Sequence, residues 1–263
     1  MFESERGNNV CVVADDTDVY ILLLYAAHQF QSKIYFRQGK QKDKAGITYH
    51  EVIPLAKHLG KRICNILPAY HALTGCDYTM PFFGRTKFTC FKRMLSHPET
   101  CDLLESLNTE SGDATQIIEF ILRVIYNRPN MEKTPGQARY KMLFVGKGKK
   151  KKFASTKAII PDKSTLVMKS KRTNFVTHLM VNCLEQNFVP LNPSDYAWKK
   201  NDDDDRWSPI WFEGSPLPST NDVFEGDDSI EVEGVCEAVE SGDEEYPSSG
   251  EGESSSDNDS DFD

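Results

Sequence analysis

Val10-Cys11-Val12-Val13-Ala14-Asp15-Asp16-Thr17-Asp18 reads as a short strand that ends in three carboxylates within four residues. Val10, Val12 and Val13 suit a pleated, buried position, and an unbroken apolar run fits a parallel strand covered on both faces. The next segment, Val19 to Phe30, is apolar and long enough for a helix. Asp15, Asp16 and Asp18 then stand at the carboxyl end of a strand, where open α/β sheets place their ligands. Such a cluster repels itself unless protons, a helix N-terminus or a metal ion neutralises it. Two readings follow. One is a hard-cation site, because carboxylate oxygens suit Mg²⁺ and Mn²⁺. In the other, Asp15 or Asp16 caps the helix and the remaining acids are solvated.

Working outward, Ile34-Tyr35-Phe36 reads as a second strand, and Arg37 to Lys44 as a basic, polar loop. Glu51 to Leu59 has apolar residues at helical spacing and stops at Gly60. Ile63 to Leu73 is apolar and helical in texture, with Pro68 predicting a kink or a boundary. It leads into the turn Thr74-Gly75-Cys76-Asp77-Tyr78. Phe82 and Phe83 read as core anchors before Gly84-Arg85-Thr86-Lys87, and a helix follows with Lys92 and Arg93 on its surface. Thr115 to Tyr126 carries one apolar stripe, Ile117, Ile118, Ile121, Leu122 and Ile125. Tyr140 to Val145 suits a short strand or a helix end. Lys147 to Lys152 is a basic run, read as a solvated loop, a phosphate-contacting loop or a nuclear localisation signal. Ser164 is placed as the cap of a long helix that buries Phe175, Val176, Leu179, Met180, Cys183 and Leu184.

From Val189 the texture turns to Pro, Trp and acid. Trp198, Trp207 and Trp211 flank the run Asp202 to Asp205, which predicts an ordered strap with a charged hairpin tip. The run lacks the glycine and spaced ligands of a calcium loop. Residues 219–263 hold 17 acidic residues and no Lys or Arg. Against a whole-chain charge of −9, this leaves +8 on residues 1–218. A basic body points to a polyanion partner, and the Ser/Gly/Asp/Glu tail is expected to be disordered. Ser241 and Ser256, each with an acid three residues on, suit acidophilic kinases. The seven cysteines are odd in number and form no CxxC pair, which argues against a zinc module or a secreted disulfide framework. The first nine residues carry no apolar signal-peptide core. The longest apolar run, Val19 to Ala27, falls short of the ~18 residues that span a bilayer. An intracellular protein is expected, nuclear before cytoplasmic.

Two segments belong together: Val12 to Asp18, and, about sixty residues on, Leu73 to Tyr78 followed by Gly84 to Lys87. The pair resembles the carboxyl half of the flap-endonuclease-like branch of the PIN-like nuclease superfamily. There a strand ends in Asp-x-Asp, a later Gly-x-Asp-Tyr supplies another acid, and a glycine-rich helical hairpin grips the DNA backbone. Also similar are uncharacterised, mobile-element-associated animal proteins with His-Ala-Leu-Thr-Gly-Cys-Asp and Phe-Phe-Gly motifs, here His71 to Asp77 and Phe82 to Gly84. A Pro-rich, Trp-containing segment like Pro193 to Trp211 extends that likeness over most of residues 10–215.

The resemblance implies Asp16, Asp18 and Asp77 as ligands of Mg²⁺ or Mn²⁺, with Asp15 behind them. Gly84, Arg85, Lys87, Lys92 and Arg93 would face nucleic-acid phosphates. Two divalent ions about 4 Å apart would then activate water and stabilise the leaving oxygen. Two departures stand out. The family's earlier acids precede the Asp-x-Asp strand, and this chain begins nine residues before it. The hairpin's second glycine is Thr86.

The expectation is therefore an α/β, PIN-like body whose mostly parallel sheet is flanked by helices and incomplete at its N-terminal side. Residues 1–110 would form the nuclease-like half, 111–218 a helical extension with the strap, and 219–263 the tail. Its function is expected to be that of a degenerate or truncated module that binds nucleic acid and keeps a residual metal site. The alternatives are an active Mg²⁺-dependent nuclease and an interaction protein whose tail binds basic partners such as histones. A tail that occupies the basic surface would autoinhibit it. Deleting residues 219–263 should then raise affinity for DNA at low salt, and an unchanged affinity would dispose of the idea.

Overall fold

The computed structural model describes residues 9–40, 46–108, 113–128, 134–145, 152–153, 156–203 and 205–214. All fall within one compact unit, Met1–Glu225. Strand β1 (Val10–Val13) pairs in parallel with β2 (Ile34–Gln38), Val10 opposite Ile34 and Val13 opposite Arg37. Parallel strands need a crossover, and helix α1 (Thr17–Ala26) supplies it. An antiparallel edge strand, β3 (Thr48–Glu51), completes the sheet in the order β1-β2-β3. The sheet is thus mixed, where a mostly parallel one was expected. It is also covered on one face only, because burial alternates along β1 and Val13 is 61% exposed. Three short valines and a cysteine cannot by themselves distinguish a sheet covered on one side from one covered on both.

Helix α2 (Val52–Leu59) runs to Gly60, from which α3 (Lys61–Thr74) starts. Cys64 and Ile66 through Thr74 are all buried in α3. The helix contributes to three apolar clusters. Cys64 and Leu67 pack with Leu24, Ile34, Phe36 and Val52 beneath the sheet. Ile66, Ala69, Tyr70 and Leu73 join a helical core reaching from α4 (Lys87–Ser96) and α5 (Thr100–Glu105) to Ile160 and Leu166. Ala72 meets Val176 and Met180. Pro68 neither breaks nor ends the helix: it sits inside α3. The helical core draws on described residues from both sides of the expected boundary, Leu107 and Ile117 among them.

Helix α6 (Ala114–Phe120), capped by the Asp113 carboxylate, opens into a π-turn at Ile121–Ile125. All five residues of the expected stripe are buried, and so are Phe120 and Val124. After α7 (Pro135–Leu143) come β4 (Phe144–Val145) and β5 (Lys152–Phe153), paired antiparallel. The long helix α8 (Lys163–Val181) is capped by Asp162, whose Oδ1 accepts from the Thr165 N–H at 2.9 Å. The expected cap, Ser164, instead bonds the backbone of Glu213. Val176 and Met180 are buried as expected, but Cys183 is exposed.

Most of what α8 buries is polar: Lys169, Ser170, Arg172, Thr173, Asn174 and Thr177. Several of these donate to loop carbonyls. Lys169 Nζ reaches Met80 O at 2.5 Å, Asn174 Nδ2 reaches Leu107 O at 3.2 Å, and Arg172 reaches Ile210 O. Buried loop carbonyls need donors, and α8 brings them. Burial pushes the Lys169 pKa down to about 7. The strap forms the hairpin β6 (Trp198–Lys200) and β7 (Trp207–Pro209), with Asp202, Asp203 and Asp205 between its strands as expected. Lys200 and Asp205 pair across its base at 2.7 Å.

Gly75, just past α3, has φ +117, and a Cβ there would lie 2.9 Å from Pro81. Both the backbone conformation and the contact exclude a side chain. Gly75→Ala should therefore lower stability by about 2 kcal/mol or more, measured as a fall in the urea midpoint at unchanged slope.

Candidate nucleic-acid interface

The acids at the end of β1 are tied to neighbouring backbone and to one histidine. Ala14 N–H donates to Arg37 O at 3.1 Å, which carries the strand pairing to its last residue. Asp15 Oδ1 accepts from the Gly39 N–H at 2.8 Å, fastening the end of β2. Asp16 caps α1, its Oδ1 accepting from the Asp18 N–H at 2.8 Å. The capping reading of the sequence therefore holds for Asp16. Asp18, in the first turn of α1, accepts from His71 Nε2. That histidine projects from the buried helix α3 and is only 4% exposed.

His71 has a second partner. Its Nδ1 lies 3.0 Å from Lys87 Nζ, in the first turn of α4. An ammonium can only donate, so Nδ1 accepts and Nε2–H donates, which describes one neutral tautomer. Burial, and then the Lys87 charge, push the His71 pKa below its usual 6.5, against the bond to Asp18 and the charges of Asp18 and Asp16. Burial likewise lowers the Lys87 pKa, against Cys76, Asp18 and Asp77, which favour its charged form. A neutral imidazole thus bridges a fixed cation to a carboxylate. The Tyr70 hydroxyl holds this end of α4 by donating to Lys87 O at 2.5 Å.

Asp77 is exposed in the turn after α3, where an antiparallel bridge between Cys76 and Thr79 closes the backbone. The charges of Asp18 and Asp77 act on Lys87, and those of Asp18 and Asp16 on His71. Among the described residues, no three His, Cys, Asp or Glu side chains gather so as to hold a metal ion. Asp18 is engaged by His71, Asp16 by its own helix, and a lysine supplies the positive charge at this end of the strand.

The expected phosphate-contacting residues divide. Gly84 is an exposed turn glycine with φ +66 and open space about it. Thr86 caps α4 by accepting from the Thr89 N–H at 3.3 Å. Arg85 stacks over the Tyr126 ring at 4.8 Å. Lys92 is exposed and lies over Phe88 at 4.3 Å. Arg93 turns inward, donating to Val124 O and, at 3.3 Å, to Ile125 O, carbonyls that the π-turn leaves short of partners. That role removes it from the phosphate-contacting set. Phe83, read as a core anchor, is 62% exposed, whereas its neighbour Phe82 is buried. The basic run is described only at Lys152; residues 146–151 and the acidic tail lie outside the described residues.

A cleft of about 700 Å³ opens elsewhere, lined by Phe30, Ile34 and Ile53 with Lys33, Lys57 and Lys61. None of the strand-end acids borders it. No described helix is long and apolar enough to cross a membrane. Compared with protein-family models, curated proteins and solved structures, the chain matches none.

The His71 pKa carries a consequence for stability. The folded state resists protonating a group that the unfolded chain protonates at about 6.5. Stability should therefore fall as pH drops below about 6.5, with a limiting slope of about 1.4 kcal/mol per pH unit, and stay level above it on this account. His71→Gln keeps a donor for Asp18 but cannot titrate. Chemical denaturation across pH 5 to 8 should show a flatter profile in that variant, and equal slopes would refute the assignment.

Proposed function

We propose that this body is a degenerate PIN-like module that binds nucleic acid without cleaving it. The observation that carries the reading is the Lys87–His71–Asp18 chain at the carboxyl end of β1. Phosphodiester hydrolysis by two metals needs several carboxylates turned toward one point. Here a lysine takes the electrostatic part of the cation. An ammonium can attract a phosphate, but it does not generate hydroxide from water at neutral pH as a divalent ion does. Arg85 and Lys92 add charge on the same segment, and residues 1–218 carry the net +8 that a polyanion would seek.

Calorimetric titration of Mg²⁺ or Mn²⁺ into the 263-residue chain tests the reading, beside the double variant Asp16→Ala/Asp77→Ala. The two proteins should give the same isotherm. DNA binding should survive EDTA, and Lys87→Met should weaken it while lowering the slope of log K against log salt by about one. Saturable metal binding that the double variant loses, together with cleavage of flap or single-stranded substrates, would instead establish a metal-dependent nuclease.

A further inference from the structure

The segment between α3 and the first turns of α4 exposes large rings that a soluble surface ordinarily covers. Tyr78 is 64%, Phe83 62% and Phe88 67% exposed. They are not loosely held. Gly75 abuts Pro81, the Cys76–Thr79 bridge closes the turn, and Thr79 donates to Ala72 O within α3. Phe82 is buried beside Tyr126, at 5.9 Å between ring centres, with Lys169 over its face at 4.6 Å. Its neighbour Phe83 is thereby presented to solvent by an anchored backbone. Cations are interleaved with the rings: Arg85, Lys87 and Lys92, the last over Phe88. From Tyr78 to Ser96 there is no Asp or Glu.

We propose that Tyr78, Phe83 and Phe88 form a stacking platform for the bases of a single-stranded polynucleotide, with Arg85, Lys87 and Lys92 facing its phosphates. The inference rests on the nucleic-acid reading above and narrows it to one class of ligand. Every base offers a π-face, so stacking tolerates any sequence, and a strand whose bases are free can use rings that a duplex cannot reach. An apolar protein partner would be served by the rings alone. The interleaved cations complement a polyanion, and the one acid of this turn, Asp77, stands just before Tyr78.

Fluorescence anisotropy of the 263-residue chain at low salt with EDTA would compare four labelled polymers. These are oligo(dT), oligo(U), a base-free deoxyribose-phosphate strand of equal length, and a matched duplex. Oligo(dT) or oligo(U) should bind more tightly than both the base-free strand and the duplex. Phe83→Ala and Phe88→Ala should each weaken that binding about tenfold and leave the base-free strand unaffected. Both rings are exposed, so neither change should unfold the chain. As a second reading, Phe83→Trp should show emission quenched by oligo(dT) beyond any change in the parent chain. Equal affinity for all four polymers, or ring variants that bind like the parent, would overturn the platform and leave the nucleic-acid reading standing. Failure to bind any of them would overturn both.

Discussion

Burial of α3 on every side is the constraint on which the other elements depend. A helix with ten of its fourteen residues buried must satisfy each polar group it carries, because water cannot do so. Thr74 returns its hydroxyl to Tyr70 O at 2.7 Å, and Tyr70 spends its own on Lys87 O. His71 has two ring nitrogens to satisfy. The fold gives it Asp18 from the start of α1 and Lys87 from the start of α4. Both partners sit in the first turn of their helices, where backbone dipoles favour a negative charge and disfavour a positive one. Asp18 is well placed on that account and Lys87 is not. The nearby acids Asp18 and Asp77 offset the penalty, so lysine and acids hold one another in place through the imidazole.

Much of this could be read from residue order. The strand-turn-helix at Val10–Asp18, the stop at Gly60, the Ile117–Ile125 stripe and the charged hairpin tip rest on local rules, and the structure has each of them. The mixed sheet was beyond reach because all four residues of Thr48–Glu51 are exposed and leave no hydrophobic alternation to find. Lys87 was visible as a cation but not as a partner of His71. Sixteen residues separate them, and fifty-three separate His71 from Asp18. Only the packing of α1 and α4 on α3 closes those distances. His71 stands only six residues before Asp77 in sequence, yet its partners lie on two other helices.

Helix α8 shows why its interior was misread. An apolar stripe is the signal of a helix that packs on other regular elements, whose backbone groups already pair with one another. α8 packs partly on irregular segments, and their carbonyls require donors. Lys169 serves the turn at Met80, Asn174 the turn at Leu107 and Arg172 the strap at Ile210. Arg172 also lies over Trp211 at 5.0 Å, which fastens the end of the strap to the same helix. Sequence periodicity records apolar burial and is blind to this demand.

The same demand connects α8 with the segment after α3. Lys169 donates to Met80 O and covers the face of Phe82, so one buried ammonium holds both the carbonyl and the ring that anchor this turn. Desolvation without a carboxylate is costly, as the lowered Lys169 pKa reflects. A methionine of similar length would avoid that cost, but it would leave Met80 O without its donor and Phe82 without a cation above it. The lysine is therefore better understood as fixing the path of the backbone than as adding stability. With that path fixed, Phe82 faces the core and Phe83 faces water, and a pair that looks redundant in sequence is divided between holding the fold and presenting a surface.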